Sequence, residues 1–254
     1  MIGEFVSALF TLHTLPGKKY SPAPIRALQT IAGHAGELLR LSLPLTANRV
    51  LINLLQSIEA VSIPGRLMYY HYDSSEALRI YGVLNGMALP CILFPSAVTN
   101  AVSVMLLPTV AEIQAADNHQ EMFSVIKKVA GCCFILGLFC CLCFLLFGPF
   151  IGLTLFDSKM AGQFIITLAW ICPFLYTNSA LLSIINGLGK TVQTFLINTL
   201  GLGIRIAGVF WGIPAFGIQG YLWGLLISQL VISLFAGGVI LLTIHRTFSP
   251  YARQ

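Results

Sequence analysis

The sequence predicts an all-α integral membrane protein, a bundle of six transmembrane helices. Its composition is the first reason: 57% of the 254 residues are hydrophobic and only 9% are charged, whereas ordinary soluble domains carry about 25% charged residues. Mean hydropathy is +0.86. The second reason is the pattern. Apolar residues occur in long runs, and about 20 of them are enough to cross a bilayer as a helix.

Turn signals divide the apolar residues into successive spans. The first span ends near Pro64, which is followed by Gly65 and Arg66, and the third ends at Asp157. Glycines around Lys190 separate the fourth span from the fifth, and a segment rich in Gly and Pro around Pro214 separates the fifth from the sixth. The predicted spans are residues 39–64, 82–110, 129–156, 162–187, 191–216 and 220–244.

The segments outside these spans have distinct compositions. Residues 1–15 are apolar but too short to cross, and they lack the charged start of a signal peptide. We expect residues 1–15 to be a stub, the remaining end of a preceding helix. A basic cytoplasmic linker at residues 16–38 leads to the six-helix lobe of residues 39–244, and a cytoplasmic tail follows at 245–254. In the first outer loop, Asp73 and Glu76 have capping-box spacing and indicate the start of a short helix.

The second span is the most unusual. From Ile80 to Ala111 it carries no charged residue, yet Pro90, Pro95 and Pro108 interrupt it and Asn, Ser and Thr are scattered along it. Prolines and buried amides are tolerated in a membrane helix only where neighbouring helices or a wet cavity satisfy the freed polar groups. This pattern indicates a broken, cavity-lining helix of a transporter.

The distribution of basic residues predicts the orientation. Excess Lys and Arg mark the cytoplasmic side of a membrane protein. If the first linker is cytoplasmic, the opposite face keeps only Arg66, Arg79 and Lys159. The sequence therefore predicts a multi-pass cell-membrane protein with both termini cytoplasmic. The cytoplasmic face then collects Lys18, Lys19, Arg26, Arg40, Lys127, Lys128, Lys190, Arg246 and Arg253.

Several classes of function are disfavoured. The net charge of +5 does not indicate nucleic-acid binding, because the basic residues lie between apolar spans and not on one face. All seven cysteines lie within apolar runs and none has metal-ligand spacing with a histidine, so we expect core residues and no metal site. No Ser-His-Asp or paired-carboxylate arrangement falls within a span. We therefore expect no catalytic residue, no cofactor and no enzyme activity.

The first span carries the strongest functional pattern. Its polar residues are spaced by three or four, which places them along one helical face, with Arg49 about two turns from the cytoplasmic end. A polar stripe inside a membrane must face protein or water. The alternative is a structural arginine that pairs with a carbonyl or a carboxylate. The stripe consists of Ser42, Thr46, Arg49, Asn53, Gln56, Ser57 and Ala60.

The fifth span repeats this pattern. Thr194, Asn198 and Arg205 share a face with several glycines, and Gly208 and Gly212 form a small-xxx-small pattern that favours close helix packing. With few acids inside the predicted spans, we expect the anion that compensates the two arginines to come from outside the protein, and Glu59 to be an interfacial residue. The candidate substrate-binding residues are Arg49, Asn53, Gln56, Asn198 and Arg205.

Beyond these patterns, the chain resembles a known family. LRIYGVLNGMALPCILFPSAVTNAVSVMLLPTVAE is similar to the seventh-to-eighth helix region of the stage V sporulation protein B family. LINLLQSIEAVSIPGRL, SALLSIINGLGKTVQTFLIN and GIPAFGIQGYLWGLLISQ fit it in the same order. That family belongs to the polysaccharide-transporter branch of the multidrug/oligosaccharidyl-lipid/polysaccharide (MOP) superfamily. Residues 39–244 resemble its C-terminal lobe, of the polysaccharide biosynthesis protein C-terminal type.

The resemblance implies one lobe of a MATE/MOP-type flippase or exporter. Such a transporter works by alternating access between two lobes, so we expect a missing N-terminal lobe or a second chain as partner. The implied substrate is a polyprenyl-diphosphate-linked glycan for polysaccharide or cell-wall synthesis, in sporulation or elsewhere. Its anionic head would bind Arg49 and Arg205, because guanidinium groups match phosphate oxygens.

Two alternatives remain open at this stage. One is a lobe of a cation-coupled multidrug exporter, which would favour a carboxylate inside the membrane. The other is a membrane remnant or assembly subunit that does not transport.

Overall fold

The computed structural model describes the backbone of residues 24–116 and 119–248, and every regular element in these ranges is helical. The chain divides into two compact units, Met1–Arg40 and Leu41–Gln254, and the helical bundle discussed below is the second. The predicted stub, the first part of the predicted linker and the end of the tail lie outside the described residues. From Pro24 the backbone is already helical, within a first helix α1 (Pro24–Tyr69).

The second predicted span is broken, as expected. The chain here forms α2 (Ser74–Val83), a π-helical turn (Leu84–Ala88), α3 (Leu89–Leu93) and α4 (Ser96–Ala115), and the predicted span 82–110 runs from the end of α2 into α4. The chain turns at Phe94 and Pro95, because a proline lacks the N–H that would continue the helix. Helix α2 begins after Asp73, and the Ser75 hydroxyl donates a hydrogen bond of 2.9 Å to the Asp73 carboxylate. This bond lowers the pKa of Asp73 below its usual value.

The third predicted span is the long helix α5 (His119–Phe156). The fourth is two helices, α6 (Lys159–Ala169) and α7 (Cys172–Gly187), which meet at an angle of 54°. The predicted span 162–187 thus corresponds to a bent pair of helices, and the bend itself was not predicted. Pro173 occupies the first turn of α7, where its missing N–H is tolerated, and it ends the hydrogen bonding of α6.

The last two spans form an antiparallel pair. Helix α8 (Thr191–Ala207) continues through a π-helical turn (Gly208–Gly212) and α9 (Ile213–Phe216), and then α10 (Ile218–Phe248) returns. The chain reverses at Gly217, which has a φ of 63°. A Cβ on Gly212 would approach the Gly220 carbonyl oxygen to 2.9 Å, and one on Gly208 would approach the Gly224 Cα to 3.3 Å. The close packing predicted from the glycine spacing is confirmed.

The helices enclose two apolar clusters, one near each end of the bundle. The first lies near the 70–73, 157–158 and 217 turns and includes Leu67, Ile165 and Ile213. The second lies near the opposite turns and includes Val110 and Ile184. Helix α5 packs on α6 and α7, α4 packs on α7, and α10 packs on α8 and α7. Large apolar side chains also cover the outer surface of the bundle, as expected where lipid is the solvent.

The described residues contain four helices long and apolar enough to cross a membrane, or five if the bent α6–α7 pair counts as one span. They correspond to the second to sixth predicted spans. The first predicted span, residues 39–64, lies within α1, which carries Arg49, Glu59 and Arg66 and does not belong to this set. The total of six spans remains a prediction.

Candidate substrate cavity

A cavity of ≈ 510 Å³ lies inside the bundle, among α1, the broken second span, α6, α7, α8 and α10. Leu89, Pro90 and Leu93 of the broken span line one side. The sequence-based expectation that this segment lines a cavity is thus confirmed. Ser103, a polar residue of the same span, does not line it and joins α4 to α7 through hydrogen bonds with Ser179 and Ser183. The polar side chains of the wall are Gln56, Glu59, Tyr81, Asn85, Arg205, Tyr221 and Gln229.

Glu59 and Arg205 form a two-pronged ion pair in this wall. Arg205 Nε lies 3.1 Å from Glu59 Oε1, and Arg205 Nη2 lies 2.6 Å from Glu59 Oε2. Glu59 is 6% exposed, and Tyr221, which is 2% exposed, interacts with it through its hydroxyl. A guanidinium matches a carboxylate in this parallel geometry, and pairing offsets part of the cost of burying both charges.

This pair corrects two expectations. Glu59 is not an interfacial residue but the direct partner of Arg205, and the anion that compensates Arg205 comes from within the protein. The physical reason is helix packing. Helices α1 and α8 run in the same direction where they meet, since Asn48 contacts Asn198 and Glu59 contacts Arg205. This packing brings a position late in α1 beside the C-terminal turn of α8, a juxtaposition that no spacing within either helix reveals.

Two carboxamides of the wall are oriented by neighbouring side chains. Asn178 Nδ2 donates to both the backbone oxygen (2.9 Å) and the side-chain oxygen (2.8 Å) of Gln229. On the other side, Asn85 Nδ2 donates to the Tyr81 hydroxyl at 3.3 Å. The side-chain oxygen of Gln229 and the amide nitrogen of Asn85 are thus engaged with protein, which leaves the opposite end of each amide for a ligand.

The five predicted site residues lie in different places. Gln56 and Arg205 line the cavity. Arg49 and Asn53 are exposed on the same stripe of α1, toward the start of the described bundle. Asn198 is half-buried and donates a hydrogen bond of 3.1 Å to Asn48 Oδ1, which joins α8 to α1. The Ser42 side chain, at the beginning of the stripe, lies outside the described part of the chain.

Sequence patterns missed Tyr81, Asn178, Tyr221 and Gln229. Asn178 and Gln229 are side-chain amides within predicted spans, and this was a usable signal, because an unpaired amide is costly in a membrane helix. Tyr221 carried no such signal. An aromatic residue near the start of a membrane helix is common, so the sequence did not single out Tyr221. Only the packing of the helices places its hydroxyl at the ion pair.

The charges of the wall balance. Among the described residues that line the cavity, Glu59 and Arg205 are the charged pair, and their sum is zero. Arg49 has no ion-pair partner among the described side chains. It lies about 10 Å from Gln56 along α1, because a helix rises about 1.5 Å per residue. The positive charge available to an anion therefore lies on the stripe and not inside the cavity.

The cysteines behave as packing residues. Cys133, Cys140, Cys141 and Cys172 are buried, and all seven are free thiols. In the part of the chain that the structure describes, no group of three or more His, Cys, Asp or Glu side chains is arranged to hold a metal ion.

Comparison with solved structures gives the fold. A multidrug-resistance MATE family transporter of the MOP superfamily, in an outward-facing conformation, superposes with a TM-score of 0.67 over 84% of this chain and 48% of its own, at 20% identity. This chain has the fold of MOP-superfamily transporters. A MOP-superfamily transporter from Pyrococcus furiosus, whose binding pocket is described as reversed in polarity, matches with a TM-score of 0.66 over 84% of this chain and 47% of its own, at 20% identity.

Sequence comparison points the same way. Stage V sporulation protein B from Bacillus subtilis is 22% identical over 237 residues, which cover 91% of this chain and 46% of that protein. No family model matches the sequence. The chain spans about half the length of the proteins that it resembles. Together with its apolar helices, the MOP fold makes the chain a multi-pass membrane protein.

Proposed function

We propose that this chain is one lobe of a membrane transporter that moves a lipid-linked glycan across the bilayer by alternating access. The observation that carries the proposal is a cavity of ≈ 510 Å³, lined by helices of the MOP fold, whose wall holds an ion pair and several side-chain amides. A polar cavity inside a membrane protein is costly unless it receives a polar ligand or water. The similarity to stage V sporulation protein B supports the same class of function. The partner of the lobe, a second lobe or a second chain, is part of the proposal.

The proposed substrate is a polyprenyl-diphosphate-linked sugar. In this proposal Arg49 and Asn53 bind the diphosphate on the exposed stripe, while Gln56 and the wall of the cavity receive the sugar. A guanidinium without an acidic partner is a suitable phosphate ligand, since it forms two parallel hydrogen bonds. Arg205 holds the cavity wall together through Glu59 and offers its remaining N–H groups. Asn198 positions α1 through Asn48.

Binding of a short-chain analogue tests this assignment. Dodecyl diphosphate N-acetylglucosamine is a diester whose charge stays constant near neutral pH. We expect the chain in nanodiscs to bind it, and Arg49→Ala to weaken binding about 10- to 100-fold, the loss of one charge-assisted interaction. Arg49→Lys should restore part of the affinity. Arg79→Ala, at an exposed arginine of α2, is the matched control. Equal binding by wild type and Arg49→Ala would overturn the phosphate assignment.

One observation favours a second candidate, the lobe of a cation-coupled multidrug exporter. Such a transporter needs a carboxylate inside the membrane, and Glu59 supplies one in the cavity wall. This candidate predicts that a lipophilic cation such as ethidium binds and that Glu59→Gln abolishes the binding. The glycan proposal predicts no saturable ethidium binding.

A further inference from the structure

We infer that Gln229, held by Asn178, is a specificity-determining donor that selects an uncharged, hydroxyl-bearing group in the cavity. The inference deepens the proposed function and rests on it. It starts from the orientation of one amide. Asn178 is 4% exposed and lies in α7, where its Nδ2 reaches two oxygens of Gln229 in α10.

The backbone oxygen of Gln229 determines which way the amides point. A backbone carbonyl is only an acceptor, so the Asn178 atom 2.9 Å from it must be the nitrogen. The same nitrogen lies 2.8 Å from the Gln229 side chain, and the atom facing it must then be Oε1. Gln229 Nε2 is consequently turned away from Asn178. Gln229 lines the cavity, so its two N–H donors are available there.

The wall provides a complementary acceptor. Asn85 uses its nitrogen for the Tyr81 hydroxyl, which leaves Oδ1 for the cavity. A donor on α10 and an acceptor on the π-helical turn suit hydroxyl groups, because a hydroxyl both donates and accepts. Gln56 adds a third amide.

Charge argues against an anion in the same place. Glu59 and Arg205 already neutralise each other, with Arg205 Nη2 at 2.6 Å from Glu59 Oε2. An anion in the cavity would have to displace this carboxylate, whereas a neutral sugar only exchanges hydrogen bonds with water for hydrogen bonds with the wall. The geometry thus assigns the sugar to the cavity and leaves the diphosphate to the stripe.

Two probes of equal charge test the inference. Dodecyl diphosphate N-acetylglucosamine carries the sugar, and dodecyl methyl diphosphate is the same diester without it. We expect wild type to bind the sugar probe more tightly. Gln229→Leu should weaken binding of the sugar probe about three- to tenfold, the effect of one or two neutral hydrogen bonds, and should leave binding of the methyl probe unchanged. Gln219→Leu, at an exposed position of the same helix outside the cavity wall, is the matched control.

Asn178→Leu tests the positioning role. It should reduce the preference for the sugar probe as much as Gln229→Leu does, and the double variant should show no further reduction. Equal affinity of wild type for both probes, or equal losses for both probes in Gln229→Leu, would overturn the inference while the phosphate site stands. An unchanged preference in folded Asn178→Leu would overturn the positioning role. If wild type binds neither probe, the proposed function fails, and the inference fails with it.

Discussion

At the scale of single residues, pairing decides what each polar side chain does. Arg49 and Arg205 have the same chemistry and similar sequence surroundings, on polar faces of membrane helices. The structure separates them, because Arg205 is engaged with Glu59 whereas Arg49 is exposed on the stripe. Glu59 and Arg205 were both visible in the sequence, but their pairing was not, since the two positions are 146 residues apart.

Removing one member of the pair should be costly. We expect Glu59→Ala to lower the free energy of unfolding by about 3–5 kcal/mol, because it leaves a half-buried guanidinium uncompensated. Removing both partners should cost less than the sum of the single losses. Reversible unfolding in mixed micelles measures these free energies, and Glu76→Ala, at an exposed glutamate of α2, is the control. Strict additivity of the two single effects would contradict the interaction.

At the scale of helices, small residues determine how closely α8 and α10 approach. The spacing of Gly208 and Gly212 predicted a close contact, and the structure adds the partner glycines, Gly220 and Gly224. Proline patterns predicted the break in the second span but not the 54° bend between α6 and α7. A proline near the start of a helix is compatible with either a kink or a new helix, and in the structure a new helix, α7, begins there, with α6 and α7 both packed on α5.

The glycine contact can be tested one methyl group at a time. A Cβ at Gly220 would overlap the Gly212 carbonyl group, so Gly220→Ala should lower the free energy of unfolding by about 1–3 kcal/mol as the helices separate. Gly237→Ala in the same helix has nothing within 4 Å of its new methyl group and should be neutral or stabilising by about 0.5–1 kcal/mol. Unfolding in mixed micelles distinguishes the two. Similar effects of both substitutions would show that the contact does not control stability.

At the scale of the whole molecule, the fold places the cavity of the helical bundle against the first apolar cluster, whose Ile92, Ile171 and Leu225 form part of its wall. The orientation of this bundle in the membrane stays a prediction, because it rests on the distribution of Lys and Arg between the loops.

Labelling with a membrane-impermeant maleimide in intact cells tests that orientation. In a background without the native cysteines, we expect Lys159→Cys to be labelled from outside and Lys128→Cys to be protected until the membrane is permeabilised. Both lysines are exposed in the structure, so accessibility within the protein does not separate them. Labelling of Lys128→Cys alone in intact cells would reverse the predicted topology.

The sequence by itself determined the membrane class, the second to sixth apolar spans, the break in the second span and the glycine contact. These features depend on composition and on spacing within one helix, which hydrophobic runs, prolines and glycines record directly. Only the tertiary structure decided that Glu59 meets Arg205 and that Asn178 orients Gln229. Both contacts join helices far apart in the chain, and their geometry depends on how the helices pack, a relation that no local period contains.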